Sequence, residues 1–580
     1  MPLQFTSEHD FQWEVRKIAV IGPGIVGMPM AALLAHSRIR EGSDTPAHVV
    51  VVQRNSRNSG WKVAAINSGK SVIGGVEPAL DSIVAESVAE GLLSATSDYE
   101  DIADADMILV SVQTDKDGFG PDYGPLFESL DGLARALQRR PAGNIPVIVF
   151  ESTLAPSSMT TVVREHFARY GLVEGRDLLL GNSPNRVMPG RLVERVAASD
   201  KLVAGLHPLT PVLIQRVYAR IVTGGVLHQT NSLTAEFVKT LENAYRDVRI
   251  AFAAEVVRYC DANDIDFYAV REEANRLLEQ TDAASGSATT VPSGAVLVPT
   301  VGVGGHCLPK DGILLWWRRH ESGADTRHSL ILQSRIINDE SPAQTVRLAE
   351  QRLGSLAGRR VALMGTAYRF DSEDTRNSPT LVLARHLREA GASVILHDPY
   401  VKPDDQNLRG AGLEGVFTND AAQALSEASL AIFCVGHGVY ANDPEGLLAL
   451  APRLEAILDG ANVFRPESIR PLLAARQPAV DYFGIGRGSN AAPAGFVEFV
   501  AESFRLMERG VANELVELIG FLNGRYAPDD FNRIDFGTMQ RLAGSCVTGC
   551  VIADAGPVAS APAFDGFSSR LVDSAATVSP

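Results

Sequence analysis

The stretch Lys17-Ile18-Ala19-Val20-Ile21, Gly22-Pro23-Gly24-Ile25-Val26-Gly27, Met28-Pro29-Met30-Ala31-Ala32-Leu33-Leu34 constrains the fold more than any other. A short apolar strand runs into glycines at the G-x-G-x-x-G spacing and then into a helix-forming run. The first glycine allows a tight turn and the second lets the backbone approach a pyrophosphate. The third lets helix and strand pack closely, with phosphate charge facing the helix N-terminus. Further apolar strands are expected at 48–52, 107–112 and 147–150, separated by helical segments. That alternation predicts an α/β fold with a parallel, doubly wound sheet.

The pattern then changes. From about 208 to 258 apolar residues recur at three and four, and no proline falls between Val212 and Val291. A long helix from about 211 to 263 is expected. Residues 283–294, rich in Ser, Ala, Gly and Thr, read as a loop. A second α/β unit follows, with strands expected at 359–365, 394–398 and 430–435 and an end near 486. The expected order is two Rossmann-like domains, 1–207 and 331–488, flanking a helical domain, 208–330, with 489–580 as an extension. Within the extension, 496–522 predicts one or two amphipathic helices. The Ala-, Ser- and Pro-rich tail from 556 predicts a mobile end. At roughly 150 residues per domain, 580 residues also suggest three to four domains.

Composition excludes several classes. Lys plus Arg is 53 and Asp plus Glu is 69, a net charge of −16, so a nucleic-acid partner is not expected. Residues 1–16 carry Glu8, Asp10 and Glu14, unlike a secretory signal. No window approaches the roughly 18 apolar residues that cross a bilayer. A cytoplasmic chain without membrane insertion is expected. Five cysteines (260, 307, 434, 546 and 550) are too few and too scattered for a disulfide framework. Cys546 and Cys550 make a lone C-x-x-x-C pair, which is not a zinc site, and no metal is expected.

The most chemically specific segment is Gly302-Val303-Gly304-Gly305-His306-Cys307-Leu308-Pro309-Lys310-Asp311. A thiolate among glycines can approach a substrate unobstructed, and it is a strong nucleophile toward an aldehyde. His306 and Lys310 would favour the thiolate electrostatically. The alternative is a small buried hydrophobe beside a turn.

Five motifs occur in order: the turn at Gly22, Glu151-Ser152-Thr153, Ala235-Glu236-Phe237-Val238-Lys239-Thr240-Leu241-Glu242-Asn243-Ala244-Tyr245-Arg246, the Gly304-Gly305-His306-Cys307 loop, and Gly365-Thr366-Ala367-Tyr368-Arg369-Phe370-Asp371-Ser372-Glu373-Asp374-Thr375-Arg376-Asn377-Ser378-Pro379. Through them, residues 15–488 resemble the UDP-glucose/GDP-mannose dehydrogenase family, the nucleotide-sugar 6-dehydrogenases. The resemblance implies a four-electron oxidation of a sugar C6 alcohol to a carboxylate, with two nicotinamide cofactors in turn, in polysaccharide biosynthesis. It implies that Cys307 captures the aldehyde as a thiohemiacetal, which is oxidised to a thioester and hydrolysed. It assigns Lys239 to stabilising the substrate oxygen and Asn243, one helical turn on, to holding that oxygen or a water. Asp311 would be the water-positioning base and Thr153 part of the same proton network. Implied cofactor contacts are Gly22, Gly24, Ile25, Val26, Gly27, Gln53, Arg54, Thr114 and Thr153. Implied substrate contacts are Asn185, Arg186, Lys239, Asn243, Arg246, Gly302, Gly304, Gly305, Arg369 and Arg376, the last two as diphosphate donors.

Simpler readings stand beside these. Lys239 suits a solvated helix charge, Asn243 a packing amide and Asp311 a helix cap. Arg369 or Arg376 suits a surface ion pair with Asp371, Glu373 or Asp374.

Two departures bear on mechanism. Asn185 stands where most relatives have glutamate; it cannot take a proton, so hydrolysis leans on Asp311, and Asn185→Glu is expected to speed that step where it is limiting. Gln53 stands where NAD-specific folds place an acid on the ribose. With Arg54 and Arg57 beside it, NAD is favoured and NADP remains open. His306 before the cysteine and Arg186-Val187-Met188-Pro189-Gly190 look like the N-acetylhexosamine branch. Leu308-Pro309-Lys310-Asp311 looks more like the glucose and mannose branches. A UDP-N-acetylhexosamine therefore ranks first and UDP-glucose second. The resemblance also implies a homodimer along the long helix, although that helix could equally pack on its own domains. The competing functions are a catalytically silent nucleotide-sugar or cofactor binder, and a two-electron dehydrogenase with no need of Cys307.

Overall fold

The computed structural model describes residues 12–56, 59–73, 77–140, 145–187, 191–280, 294–546, 550–558 and 560–578. They divide into two compact units. Unit one comprises residues 1–242, 314–324 and 518–551; unit two comprises 243–313, 325–517 and 552–580.

Unit one is built on strands β1 (Lys17–Ile21), β2 (His48–Val52), β3 (Leu93–Thr96), β4 (Met107–Val110), β7 (Val147–Phe150), β8 (Leu179–Asn182), β9 (Lys201–Gly205) and β10 (Leu227–Asn231). A small antiparallel pair, β5 (Asp115–Asp117) and β6 (Gly120–Asp122), stands apart. The main order is β10-β9-β8-β7-β4-β1-β2-β3, parallel except where β9 meets β8. Side chains alternate between two cores. Ile18 and Val20, Val49 and Val51, Met107 and Leu109 enter one; Ala19 and Ile21, Val50 and Val52, Ile108 and Val110 enter the other. Strands this apolar on both faces require helices on both sides, which makes the sheet doubly wound.

Unit two repeats the plan with β11 (Arg360–Met364), β12 (Ser393–His397), β13 (Phe417–Thr418), β14 (Leu430–Phe433), β15 (Ala456–Asp459) and β16 (Asp481–Gly484). All six are parallel, in the order β13-β12-β11-β14-β15-β16. The α/β class with two Rossmann-like sheets and helical segments between them is therefore correct.

The expected long helix is shorter than its periodicity suggested. Helix Leu209–Tyr218 ends, β10 intervenes, and helix Ser232–Ala262 follows. Gly224 and Gly225 supply the break: a Cβ on Gly225 would collide with the Ser199 carbonyl. Absence of proline permits a helix without enforcing one.

Helix Ser232–Ala262 was also expected to offer a dimer surface. In unit two it is covered by its own chain instead. Phe504 of the 28-residue helix Phe496–Asn523 packs edge-on to Phe252 at 5.5 Å, Phe496 lies 4.8 Å from Tyr259, and Tyr245 donates to Glu508. The tail expected to be mobile is ordered over 560–578. Ser569 caps helix Arg570–Thr577 and donates to Glu255, while Leu571 and Val572 are buried. Its small-residue composition hid an apolar face and a capping residue. In unit one the extension anchors through Asn231, whose amide donates to the Phe531 and Arg533 carbonyls, each at 2.8 Å. Among the described residues no helix is long and apolar enough to cross a membrane. The 283–293 loop, Arg57 and 188–190 lie outside the described residues.

Candidate functional site

In unit one the glycine turn sits between β1 and helix Gly27–His36. Gly22 has φ +90°, and a Cβ there would come within 2.7 Å of the Ser111 carbonyl oxygen. A Cβ on Gly27 would collide with the Gly22 carbonyl. Gly24 differs: nothing lies within 4 Å of a Cβ built on it. The first and third glycines are therefore demanded by the protein's own packing, whereas the second faces open space. Val26 precedes the helix without a side-chain cap, so its first N–H groups are not closed off by one, and Ile25 is exposed. An open cradle over an uncapped helix start fits a pyrophosphate.

The other implied cofactor residues line the carboxyl edge of the same sheet. Thr114 after β4 donates to the Thr153 carbonyl after β7 at 2.7 Å. Gln53 directly follows β2 and donates to Ser59 Oγ at 3.0 Å. Arg54 pairs with Glu128 at 2.8 Å on the surface.

Asn185 follows β8 and joins a buried set. Its amide donates to Glu151, and its oxygen accepts from Lys201 Nζ at 2.9 Å. Lys201 also donates to Glu151 at 2.8 Å, and Tyr218 donates to the other Glu151 oxygen. Arg186 grips Glu242 with two nitrogens, at 2.7 and 2.5 Å. Lys239 is only 7% exposed, which rules out a solvated helix charge. Burial pushes the Lys201 ammonium below its ordinary pKa; Glu151 opposes this, and Arg186 and Lys239 add to it. Glu236 fixes the loop after Thr153 by accepting the Ser157 and Met159 N–H groups, each at 2.8 Å, and burial lifts its carboxyl to about 8.

In unit two Cys307 is exposed, contrary to the buried-hydrophobe reading. It precedes helix Leu308–Glu321, and its carbonyl accepts the Asp311 N–H at 2.8 Å. The glycine turn before it is pressed onto the segment after β11. A Cβ on Gly304 would come within 2.6 Å of Tyr368 Cβ, and on Gly305 (φ +84°) within 2.8 Å of the Tyr368 ring. Gly305 N–H donates to the Arg376 carbonyl at 2.8 Å, and the Asn377 amide donates to the Gly305 carbonyl at 2.9 Å. Two motifs more than sixty residues apart thus meet at Cys307. Gly302, at the start of the loop, would set a Cβ 2.7 Å from Pro379.

Asn243 and Asp311 also meet: the amide donates to the carboxylate at 2.6 Å. Asp311 is fully buried, with its second oxygen 3.4 Å from Lys310 Nζ. Lys310 therefore faces Asp311. Arg376 makes the ion pair named as its simpler reading, binding Asp374 with two nitrogens at 3.0 and 2.6 Å. Burial pushes the Arg246 guanidinium down, and Arg249 and Arg369 add to that. Three arginines therefore feel one another in this unit, and Arg249 already donates to the Gly294 and Ala295 carbonyls.

Sequence reasoning gave no role to Glu151 itself, Lys201, Tyr218, Glu242 or Tyr368. Lys201 carried a signal: a lysine opening an otherwise apolar strand, Lys201-Leu202-Val203-Ala204-Gly205, must find buried partners. Tyr368 carried none, because its contact with the glycine turn is long-range.

Three family descriptions match the chain in order. They are the UDP-glucose/GDP-mannose dehydrogenase family NAD binding domain over 16–222, the central domain over 233–340, and the UDP binding domain over 362–466. The UDP-N-acetyl-D-mannosamine dehydrogenase of Pyrococcus horikoshii is 30% identical over 479 residues, covering 81% of this chain and 99% of that one. The NDP-N-acetyl-D-galactosaminuronic acid dehydrogenase of Ralstonia nicotianae is 29% identical, covering 73% and 91%. The crystal structure of the enzyme of that name from Methanosarcina mazei superposes with a TM-score of 0.66 at 29% identity, covering 82% and 96%. A glycine turn shaped for a dinucleotide, an exposed cysteine on a second glycine turn and three family domains in register make this chain an oxidoreductase belonging to the UDP-glucose/GDP-mannose dehydrogenase family.

Proposed function

We propose that the chain oxidises the C6 hydroxyl of a UDP-N-acetylhexosamine to the carboxylate, with NAD as oxidant in two rounds. The printed activities of the Pyrococcus and Ralstonia relatives support an N-acetylated sugar over UDP-glucose. NAD supplies a hydride acceptor in each round, held over Gly22, Gly24, Ile25, Val26 and Gly27. Gln53 gives both amide hydrogens to its own loop, so its oxygen can accept from a ribose hydroxyl, and Arg54 is paired with Glu128; both favour NAD over NADP. We assign the cofactor to 1–207, the cysteine loop to 208–330 and the nucleotide half of the substrate to 331–488.

Lys239 stabilises charge on the C6 oxygen as the alcohol becomes an aldehyde. The Cys307 thiolate adds to the aldehyde carbon, forming a C–S bond and placing the electron pair on oxygen. Loss of a second hydride gives the thioester. Water, held by Asn243 and Asp311 with Thr153 in the proton network, adds to the carbonyl; the C–S bond breaks and the thiolate returns. Two hydrides leave, one water enters and one carboxylate results. Arg246, Arg369 and Arg376 bind the diphosphate in this reading, with Arg376 exchanging Asp374 for phosphate oxygen. Gly302, Gly304 and Gly305 let the loop close on Pro379 and Tyr368, which holds Cys307 where this reading needs it to meet the hexose. Self-association requires a face other than 243–262, which helix Phe496–Asn523 and the tail cover.

The exposed thiol of Cys307 on its glycine turn carries this reading. The test offers purified protein a panel of UDP- and GDP-sugars with NAD and NADP, with product masses measured. Two NADH per UDP-N-acetylhexosamine and a uronic acid product support it; no reduced cofactor from any sugar refutes it.

A further inference from the structure

We propose that Asn185 is a specificity-determining donor to an oxygen of the hexose, its amide locked in one orientation by a closed Glu151–Lys201–Tyr218 network. The inference rests on the nucleotide-sugar reading above and assigns one recognition contact within it.

The network follows from strand direction. β9 runs antiparallel to β8, with Gly181 opposite Gly205 and Asn182 opposite Ala204. Continuing that register sets Asn185 opposite Lys201, so the first residue of β9 reaches the edge where β7 and β8 end. Lys201 is 4% exposed, and its three ammonium protons have three acceptors: Glu151 at 2.8 Å, the Ser183 carbonyl at 2.8 Å and Asn185 Oδ1 at 2.9 Å. Glu151 is fully buried; one oxygen takes Lys201 and Asn185, the other Tyr218. The three Lys201 protons and both Glu151 oxygens are therefore all matched.

The consequence falls on Asn185. Its oxygen must face the ammonium, because turning the amide over would set NH2 against Lys201 and oxygen against the Glu151 carboxylate. One N–H is engaged by Glu151. The other meets no acceptor among the described residues, and Asn185 is the partly exposed member at the carboxyl edge of the sheet, where ligands of such folds bind. Position 185 thus presents a neutral donor, matched to a hydroxyl or acetamido oxygen. A carboxylate there would face Glu151 across hydrogen-bond distance, two like charges in one buried site. This reverses the expectation that Asn185→Glu helps hydrolysis.

Titratable groups surround the position from the neighbouring elements. They are Glu151 after β7, Lys201 on β9, Tyr218 on helix Leu209–Tyr218, Arg186 in the same loop, Lys239 and Glu242 on helix Ser232–Ala262, and Cys546 of the extension near Arg186.

The experiment compares wild type, Asn185→Asp and the double variant Asn185→Asp/Glu151→Gln, using UDP-N-acetylhexosamine in steady-state kinetics and in calorimetry. For Asn185→Asp at pH 8 the expected result is KM and Kd raised at least tenfold, with kcat within threefold. Both should return toward wild type near pH 5.5, where a protonated carboxyl can donate. The double variant removes the like-charge clash and should melt like wild type while keeping the raised KM. KM and Kd within twofold of wild type in both variants would overturn the proposal. So would a fall in kcat alone, or a KM rise equal at every pH. If wild type reduces no cofactor, the activity reading fails separately, and the Kd comparison alone decides the role of Asn185.

Discussion

The two Rossmann-like sheets place a polar residue at the same point, directly after the second strand, and use it oppositely. In unit one it is Gln53, partly exposed at the edge, with its side-chain amide bonded to its own loop. In unit two it is Asp398, fully buried after β12. One oxygen accepts the Thr366 and Ala367 N–H groups and His437 Nε2; the other accepts the Tyr400 and Val401 N–H groups. Burial pushes its carboxyl up, but His437 and these backbone donors outweigh it and hold the pKa below the usual value. The glycine turns differ likewise. Gly24 opens on empty space, whereas a Cβ on Gly365 (φ +99°) would come within 2.6 Å of Val435. One sheet leaves its ligand edge open; the other uses the acid to fasten its own loop. Equal topology therefore does not mean equal ligand chemistry.

The sharpest way to break this contrast is Asp398→Ala, which strands four backbone N–H donors and a buried histidine. It should cost about 3–5 kcal/mol in denaturant unfolding, whereas Gln53→Ala should stay within about 0.5 kcal/mol. Equal losses would end the comparison. Next come the glycines. Gly22→Ala and Gly27→Ala should each cost roughly 1–3 kcal/mol, while Gly24→Ala should melt like wild type and lose NAD affinity in calorimetry. A Gly24→Ala protein that melts early yet binds NAD normally would reverse their assigned roles.

The smallest effect concerns pH. Burial lifts Glu514 to about 8; it accepts the Leu330 N–H at 2.9 Å and the Ser329 hydroxyl. A folded-state pKa above the unfolded one means that unfolding releases a proton between pH 4.5 and 8. Raising pH therefore favours unfolding through this group. Between pH 5.5 and 8, wild type should lose more melting temperature than Glu514→Gln; parallel slopes would show that Glu514 does not titrate in this window.

Much of this was legible in the residues. Both glycine turns declare themselves because a strand, a spacing and a helix are all local signals. Lys239, Asn243 and Asp311 could be named from their motifs, but not that Lys239 is buried or that Asn243 bonds Asp311 at 2.6 Å. The Asn185 network was hidden because it depends on β9 running antiparallel, a topological choice that no local pattern encodes. Periodicity over-extended the central helix, since Gly224 and Gly225 weigh little in a window average. Composition likewise misjudged the tail, where Leu571 and Val572 suffice to dock a short helix against helix Ser232–Ala262.

The most direct measurement follows UDP-N-acetylhexosamine with NAD on wild type and Cys307→Ser, counting NADH and weighing the product. The account predicts two NADH and a uronic acid from wild type, and no acid from the variant, which still binds NAD. Acid formed at the wild-type rate without the thiol would contradict it.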